Sequence, residues 1–107
     1  MTNGQTQAIK EIQAEVERAK KLHPGEFHNA HEGYAVLLEE VRELESAVFF
    51  GKKVARKEYD SDLNPEYIEK MATIDHRAKM REEAIQIGAM AVRFAAELTD
   101  VNVTVGR

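Results

Sequence analysis

The chain has 107 residues, with Lys+Arg 15 against Asp+Glu 19, a net charge of −4, and 43% hydrophobic beside 32% charged residues. This is room for one folded domain spanning residues 1–107, and the composition is not that of a disordered chain. The acidic balance argues against a nucleic-acid partner, the lack of cysteine excludes disulfides and thiolate metal sites, and no apolar run reaches the length of a membrane span.

The first ten residues lack the basic and apolar regions of a signal peptide, so the expected location is the cytoplasm. Ile9, Ile12, Val16 and Ala19 recur three and four apart and predict a helix over 5–22. His23-Pro24-Gly25 ends it, because proline cannot continue the hydrogen-bond ladder. A second helix is expected over about 30–50. Asn29 followed three residues later by Glu32 reads as a cap, and Tyr34, Leu37, Leu38, Val41, Leu44 and Val48 form one apolar face. Gly51 is the expected stop, and 52–64 the expected charged connection.

Asn64-Pro65 then reads as an N-cap followed by a first-turn proline. The helical pattern runs on to Asp100, which is long for a globular helix, so a break is expected near Thr73–His76. The expected fold is therefore all-α with four helices. The last helix carries Ile85, Ile87, Met90, Val92, Phe94 and Leu98 in nearly every direction around its axis. A helix apolar almost all round is buried almost all round, and a partner subunit is the simplest cover in so short a chain. Gly88 and the neighbouring alanines permit close helix approach. The tail from Val101 to Arg107 reads equally as a frayed end or a short interface strand.

Glu39-Glu40-Val41-Arg42-Glu43 carries the chemistry. Glu40 and Glu43 are three apart and stand side by side on the helix, at the edge of its apolar face, while Glu39 points toward solvent. Glu83 and Gln86 are also three apart, on the polar stripe of the last helix. Two antiparallel helices would bring these four together, and oxygen ligands of this kind suit Mg²⁺ or Mn²⁺. An ordinary solvated face has the same pattern, but polar groups interrupting a helix that wants burial need a reason.

The stretches His31-Glu32-Gly33-Tyr34-Ala35-Val36-Leu37-Leu38-Glu39-Glu40-Val41-Arg42-Glu43-Leu44 and Arg81-Glu82-Glu83-Ala84-Ile85-Gln86-Ile87-Gly88-Ala89-Met90-Ala91-Val92-Arg93-Phe94 resemble the small MazG-like proteins, many of them from bacteriophages. The family motif is E-E-x-x-E on one helix and E-x-x-D on another. The resemblance implies a four-helix MazG-like bundle completed by oligomerisation, with a tetramer, as a dimer of dimers, placed ahead of a dimer. It implies cleavage of a nucleoside triphosphate to the monophosphate and pyrophosphate, with Mg²⁺ or Mn²⁺ held by Glu40, Glu43 and Glu83, and Glu39 as an outer-shell or second-metal carboxylate. These four are the expected catalytic residues. Among relatives of this type a purine deoxynucleotide, dGTP first, is the leading substrate. Gln86 departs from the family Asp and removes one negative charge, which opens either a nucleotide-binding role for it instead or compensation by Glu82.

Lys79, Arg81, Lys52, Lys53 and Asn29 complete the expected substrate contacts, with Arg56 a further basic candidate for phosphate; a plain solvated charge is the competing reading for the basic residues. His28 and His31 lack further zinc ligands at a recognisable spacing, so a helix-start role fits His28 and a pocket-wall role His31. Asp75-His76 carry no acid–base reading, since adjacent helical residues diverge. Tyr34 reads as core packing or pocket wall. The competing function is a non-catalytic helical adaptor or regulator that dimerises through its last helix. A di-iron bundle is disfavoured, because such sites use E-x-x-H repeats and the chain has none.

Overall fold

The computed structural model describes residues 1–99. These residues form three α-helices and no strand: α1 (Asn3–Leu22), α2 (Ala30–Lys57) and α3 (Pro65–Leu98). The tail from Val101 to Arg107 lies outside the described residues.

The helix starts follow side-chain chemistry. Thr2 caps α1 in a full capping box: its hydroxyl accepts from the Gln5 amide, and the Gln5 side chain accepts from the Thr2 amide. Asn29 Oδ1 accepts the Glu32 amide at 3.0 Å, which opens α2 as expected, although Glu32 reaches back to the His28 amide rather than to that of Asn29. Asn64 Oδ1 accepts the Glu66 amide at 2.8 Å and starts α3.

Two expected boundaries are corrected. α2 does not stop at Gly51 but continues to Lys57, so only 58–64 connect the last two helices. A Cβ on Gly51 would stand 2.9 Å from His76 Cδ2, so the glycine serves close helix approach, not termination. α2 ends where the amides of Glu58 and Tyr59 turn back to the carbonyls of Ala55 and Arg56, satisfying two of its orphan acceptors. The expected break at Thr73–His76 is also absent: α3 is one helix of 34 residues. Thr73 turns its hydroxyl back to the Glu69 carbonyl at 2.8 Å, and no proline or glycine interrupts the ladder there. The expected third and fourth helices are thus a single element.

The chain divides into two compact units, Met1–Glu40 with Ile85–Arg107, and Val41–Ala84. The divisions fall within α2 and α3, each continuous as a helix. In the first unit, Val16, Ala19 and the fully covered Ala89 form the core. Gly88 has the close approach expected of it: a Cβ there would stand 2.6 Å from Ile12 Cδ1. In the second unit the core is Ala47, Ala55 and the fully covered Ala72. Small residues fill both cores, so helices lie close and the larger apolar side chains stay partly outside. Phe49, Phe50, Val54, Ile74 and Val92 are exposed, and so is Tyr34, which is not core packing.

Candidate functional site

In the second unit, α2 carries Glu43 and α3 carries Lys79 and Glu83. Glu83 is only 3% exposed, while its neighbour Glu82 faces solvent. One Glu83 oxygen, Oε1, stands 2.9 Å from Lys79 Nζ one helical turn earlier. The other, Oε2, is buried and accepts no hydrogen bond among the described residues. A buried carboxylate oxygen without a donor is costly, and native proteins leave few such groups. Lys79 is held as an ammonium above the usual lysine value, mainly by its hydrogen bond to Glu83, and also by the charges of Glu83, Glu82 and Glu43.

Glu40 lies one turn before Glu43 on α2. One oxygen from each of Glu40, Glu43 and Glu83 can be chosen so that all three lie within 4.8 Å of one another. Glu40 Oε2 is likewise shut off from solvent, and Glu43 is exposed. Carboxylates this close disfavour one another's ionised form, a repulsion that a positive charge such as Lys79 offsets. Their hard oxygen donors suit a hard divalent cation better than a soft metal.

A cavity of about 570 Å³ opens in the second unit, walled in part by Glu43, Phe50, Glu58, Asp75, Lys79 and Glu83. Asp75 accepts a hydrogen bond from Tyr59 Oη, which pushes the phenol up to about 12. His76 donates from Nε2 to the Ala47 carbonyl at 2.8 Å, so the Asp75-His76 pair diverges and does no joint acid–base work. A cavity of about 500 Å³ opens in the first unit, and its wall includes Val36, Glu40, Gln86, Met90 and Arg93.

Of the residues singled out in the sequence, Glu40, Glu43 and Glu83 come together, with Lys79 on Glu83. Glu39 is exposed and is not one of that group. Gln86 lies in the wall of the first-unit cavity. Arg81 is exposed. Asn29 uses its side-chain oxygen to cap α2. Lys52 pairs with Glu69, which also takes a bidentate pair from Arg56, with Nε at 2.8 Å. These two cations hold the Glu69 carboxyl down at about 2, Arg56 contributing most. Lys53 is exposed. His28 Nδ1 donates to Glu32 at 2.9 Å, which keeps both at the helix start.

Sequence reasoning did not single out the Arg93–Glu97 pair. Arg93 Nε donates to Glu97 at 2.9 Å, its guanidinium carbon lies 4.5 Å from the centre of the Phe27 ring, and Nη2 donates to the Gly25 carbonyl. Glu97 accepts the Phe27 amide at 2.8 Å. The pair clasps the loop after α1 onto α3. Its signal was the four-residue spacing of opposite charges on an otherwise apolar helix. Glu58 and Asp75 entered the cavity wall with no comparable signal in their spacing.

What fold and site define is an all-helical protein with a three-carboxylate group suited to a divalent cation. Comparison of the chain with protein-family models, curated protein sequences and solved structures finds no match. No helix among the described residues is long and apolar enough to cross a membrane.

Proposed function

We propose that the protein is a Mg²⁺- or Mn²⁺-dependent nucleotide pyrophosphohydrolase, converting a nucleoside or deoxynucleoside triphosphate to the monophosphate and pyrophosphate. The observation that carries this reading is the group of Glu40, Glu43 and Glu83, one oxygen of each lying within 4.8 Å of the others, together with a buried Glu83 oxygen that accepts no hydrogen bond. The MazG-like motif supplies the choice of reaction, and dGTP is the first substrate to try.

The three glutamates would hold the cation. When bound, it would neutralise charge on the triphosphate and favour attack by water at the α-phosphorus. In that attack the bond from the α-phosphorus to the bridging oxygen breaks, and pyrophosphate leaves. Lys79 is placed to exchange its Glu83 partner for a phosphate oxygen, keeping a positive charge at the site throughout. Glu39, exposed beside Glu40, is the outer carboxylate.

The reading includes a cytoplasmic homo-oligomer, a dimer of dimers that completes a MazG-like four-helix bundle. Supporting it are large apolar side chains left exposed, Phe49 at 73% and Phe50 at 62% among them. The same side chains favour a second reading, a non-catalytic helical adaptor. Pyrophosphate release from a panel of NTPs and dNTPs with Mg²⁺ or Mn²⁺ separates the two. The hydrolase cleaves at least one of them, and a Glu40→Gln, Glu43→Gln double variant does not. If every triphosphate stays intact with either metal at high protein concentration, the hydrolase reading falls.

A further inference from the structure

Within the second unit the two helices run antiparallel: Glu43 meets Glu83, the Ala47 carbonyl meets His76, and Arg56 meets Glu69. Every residue in the wall of the 570 Å³ cavity belongs to this unit. Asp75, Lys79 and Glu83 line it from one stripe of α3, each four residues from the next. Asp75 and Glu83 are therefore about 12 Å apart along the helix axis, the length scale of a nucleotide from base edge to phosphate. At the Glu83 end stand Glu43, Ser46 and Lys79, and Glu83 Oε2 is buried there without a donor. Ala47, Phe50 and Val54 of α2 add apolar wall.

The other end is different. Asp75 is half-buried, and its Oδ2 accepts from Tyr59 Oη, a phenol that keeps its proton up to about 12. Its Oδ1 accepts no hydrogen bond among the described residues, and no cation pairs with it. Glu58, which follows α2, is exposed and also lacks a partner cation there. Lys79, the one cation of the wall, is on Glu83. Carboxylates accept hydrogen bonds and cannot donate them. A second metal ion has too few ligands at this end, since neither Glu58 nor Asp75 belongs to a group of three ligating side chains among the described residues.

The volume falls in the range of small-molecule sites. The two ends suit an elongated ligand, with an anionic group toward the cation ligands and N–H groups toward Asp75. Guanine presents a ring N–H beside an exocyclic amine, two adjacent donors that one carboxylate accepts as a bidentate, charge-assisted pair. Adenine and cytosine offer one amine beside a ring acceptor, and thymine or uracil one N–H between two carbonyls. With each of those a carboxylate faces an acceptor as well as a donor.

We infer that the second-unit cavity holds the nucleotide lengthwise, and that Asp75 is a specificity-determining residue that selects guanine by accepting from its ring N–H and exocyclic amine. The inference rests on the nucleotide reading above and assigns a side chain to the base.

The test is binding of dGMP, dIMP, dAMP, dCMP and TMP to the full chain with Mg²⁺ present, followed by calorimetry or by amide chemical shifts. dIMP keeps the ring N–H of guanine and lacks its exocyclic amine. Wild type is expected to bind dGMP most tightly and dIMP next. Asp75→Asn, whose amide oxygen still accepts from Tyr59, is expected to lose roughly 5- to 150-fold of the preference for dGMP over dAMP, the range of one bidentate contact. Tyr59→Phe is expected to keep most of that preference, which separates base reading from a carboxylate that only anchors Tyr59. A wild type that favours no base or another base overturns the inference. So does a preference kept by an Asp75→Asn variant that circular dichroism shows to be folded, or an equal weakening of all five nucleotides in both variants. Failure of the hydrolase reading looks different: no triphosphate releases pyrophosphate, while the guanine preference and its loss in Asp75→Asn remain.

Discussion

Lys79 and Glu83 form an ion pair of 2.9 Å one turn apart on α3, in which an exposed ammonium neutralises a buried carboxylate. The lysine occupies one oxygen of the residue that would also hold a cation, so the two positive charges compete for Glu83. Replacing Lys79 by Met is expected to tighten Mn²⁺ binding several-fold and to weaken binding of a triphosphate. An electron paramagnetic resonance titration reads the first effect and the KM of hydrolysis the second. Weaker Mn²⁺ binding in Lys79→Met would show that the lysine supports the cation site instead. The ammonium is held above its ordinary range. Its contribution to stability is therefore present below the ordinary lysine value and is lost only as pH rises through the higher folded one.

Glu40, Glu43 and Glu83 gather negative charge that a bound cation would relieve. Mn²⁺ or Mg²⁺ should raise the thermal midpoint of the wild type, by the equivalent of about 2.7 kcal/mol at a free metal concentration a hundredfold above Kd. The Glu40→Gln, Glu43→Gln double variant should gain nothing from metal. Differential scanning calorimetry with and without chelator measures both. An equal metal gain in the two proteins would place the cation elsewhere.

Arg93 and Glu97 are buried, their side chains 7% and 9% exposed. Arg93→Met would leave the Glu97 carboxylate buried with only the Phe27 amide as donor, at a cost of about 3–5 kcal/mol in urea unfolding. Adding Glu97→Leu should recover part of that loss, because no charge is then stranded. The Arg93 hydrogen bond holds the Glu97 carboxyl below the usual carboxylate range; burial opposes this, and the Phe27 amide assists. The stabilisation is therefore complete above the ordinary value of 4.5 and lost as pH falls through the lower folded value. Unfolding curves at a series of acid pH values, compared between wild type and Glu97→Gln, locate that window.

Glu69 bridges Lys52 and Arg56 at the surface, and its carboxyl is held at about 2. The groups are roughly half exposed, so solvent screening keeps the pairs weak despite the large shift. Glu69→Gln is expected to lower stability only slightly at low ionic strength and not measurably in 1 M salt. Its effect should vanish as pH falls from the ordinary carboxylate range toward 2, where wild-type Glu69 is also protonated. Urea unfolding at two salt concentrations is sufficient to read it.

The helix starts at Asn29 and Asn64 were legible because a cap is a local event: one side-chain oxygen meets the amide two or three residues on. The ends were not. Gly51 and the Thr73–His76 stretch look like interruptions when only neighbours in sequence are counted. Glycine costs a helix about 1 kcal/mol, which packing against His76 and around the covered Ala72 outweighs. Tyr34 shows the same limit, since its place in an apolar periodicity did not reveal that it stays exposed.

That the protein is helical, and that Glu40 and Glu43 share a helix face, can be read from residue order alone, because both follow from a 3.6-residue period. Which of Glu82 and Glu83 is buried, that Lys79 lies on the buried one, and that Gln86 belongs to the wall of a cavity emerge only once the helices are packed. Those outcomes depend on which side chains other helices bring near, and periodicity along one helix carries no record of its neighbours.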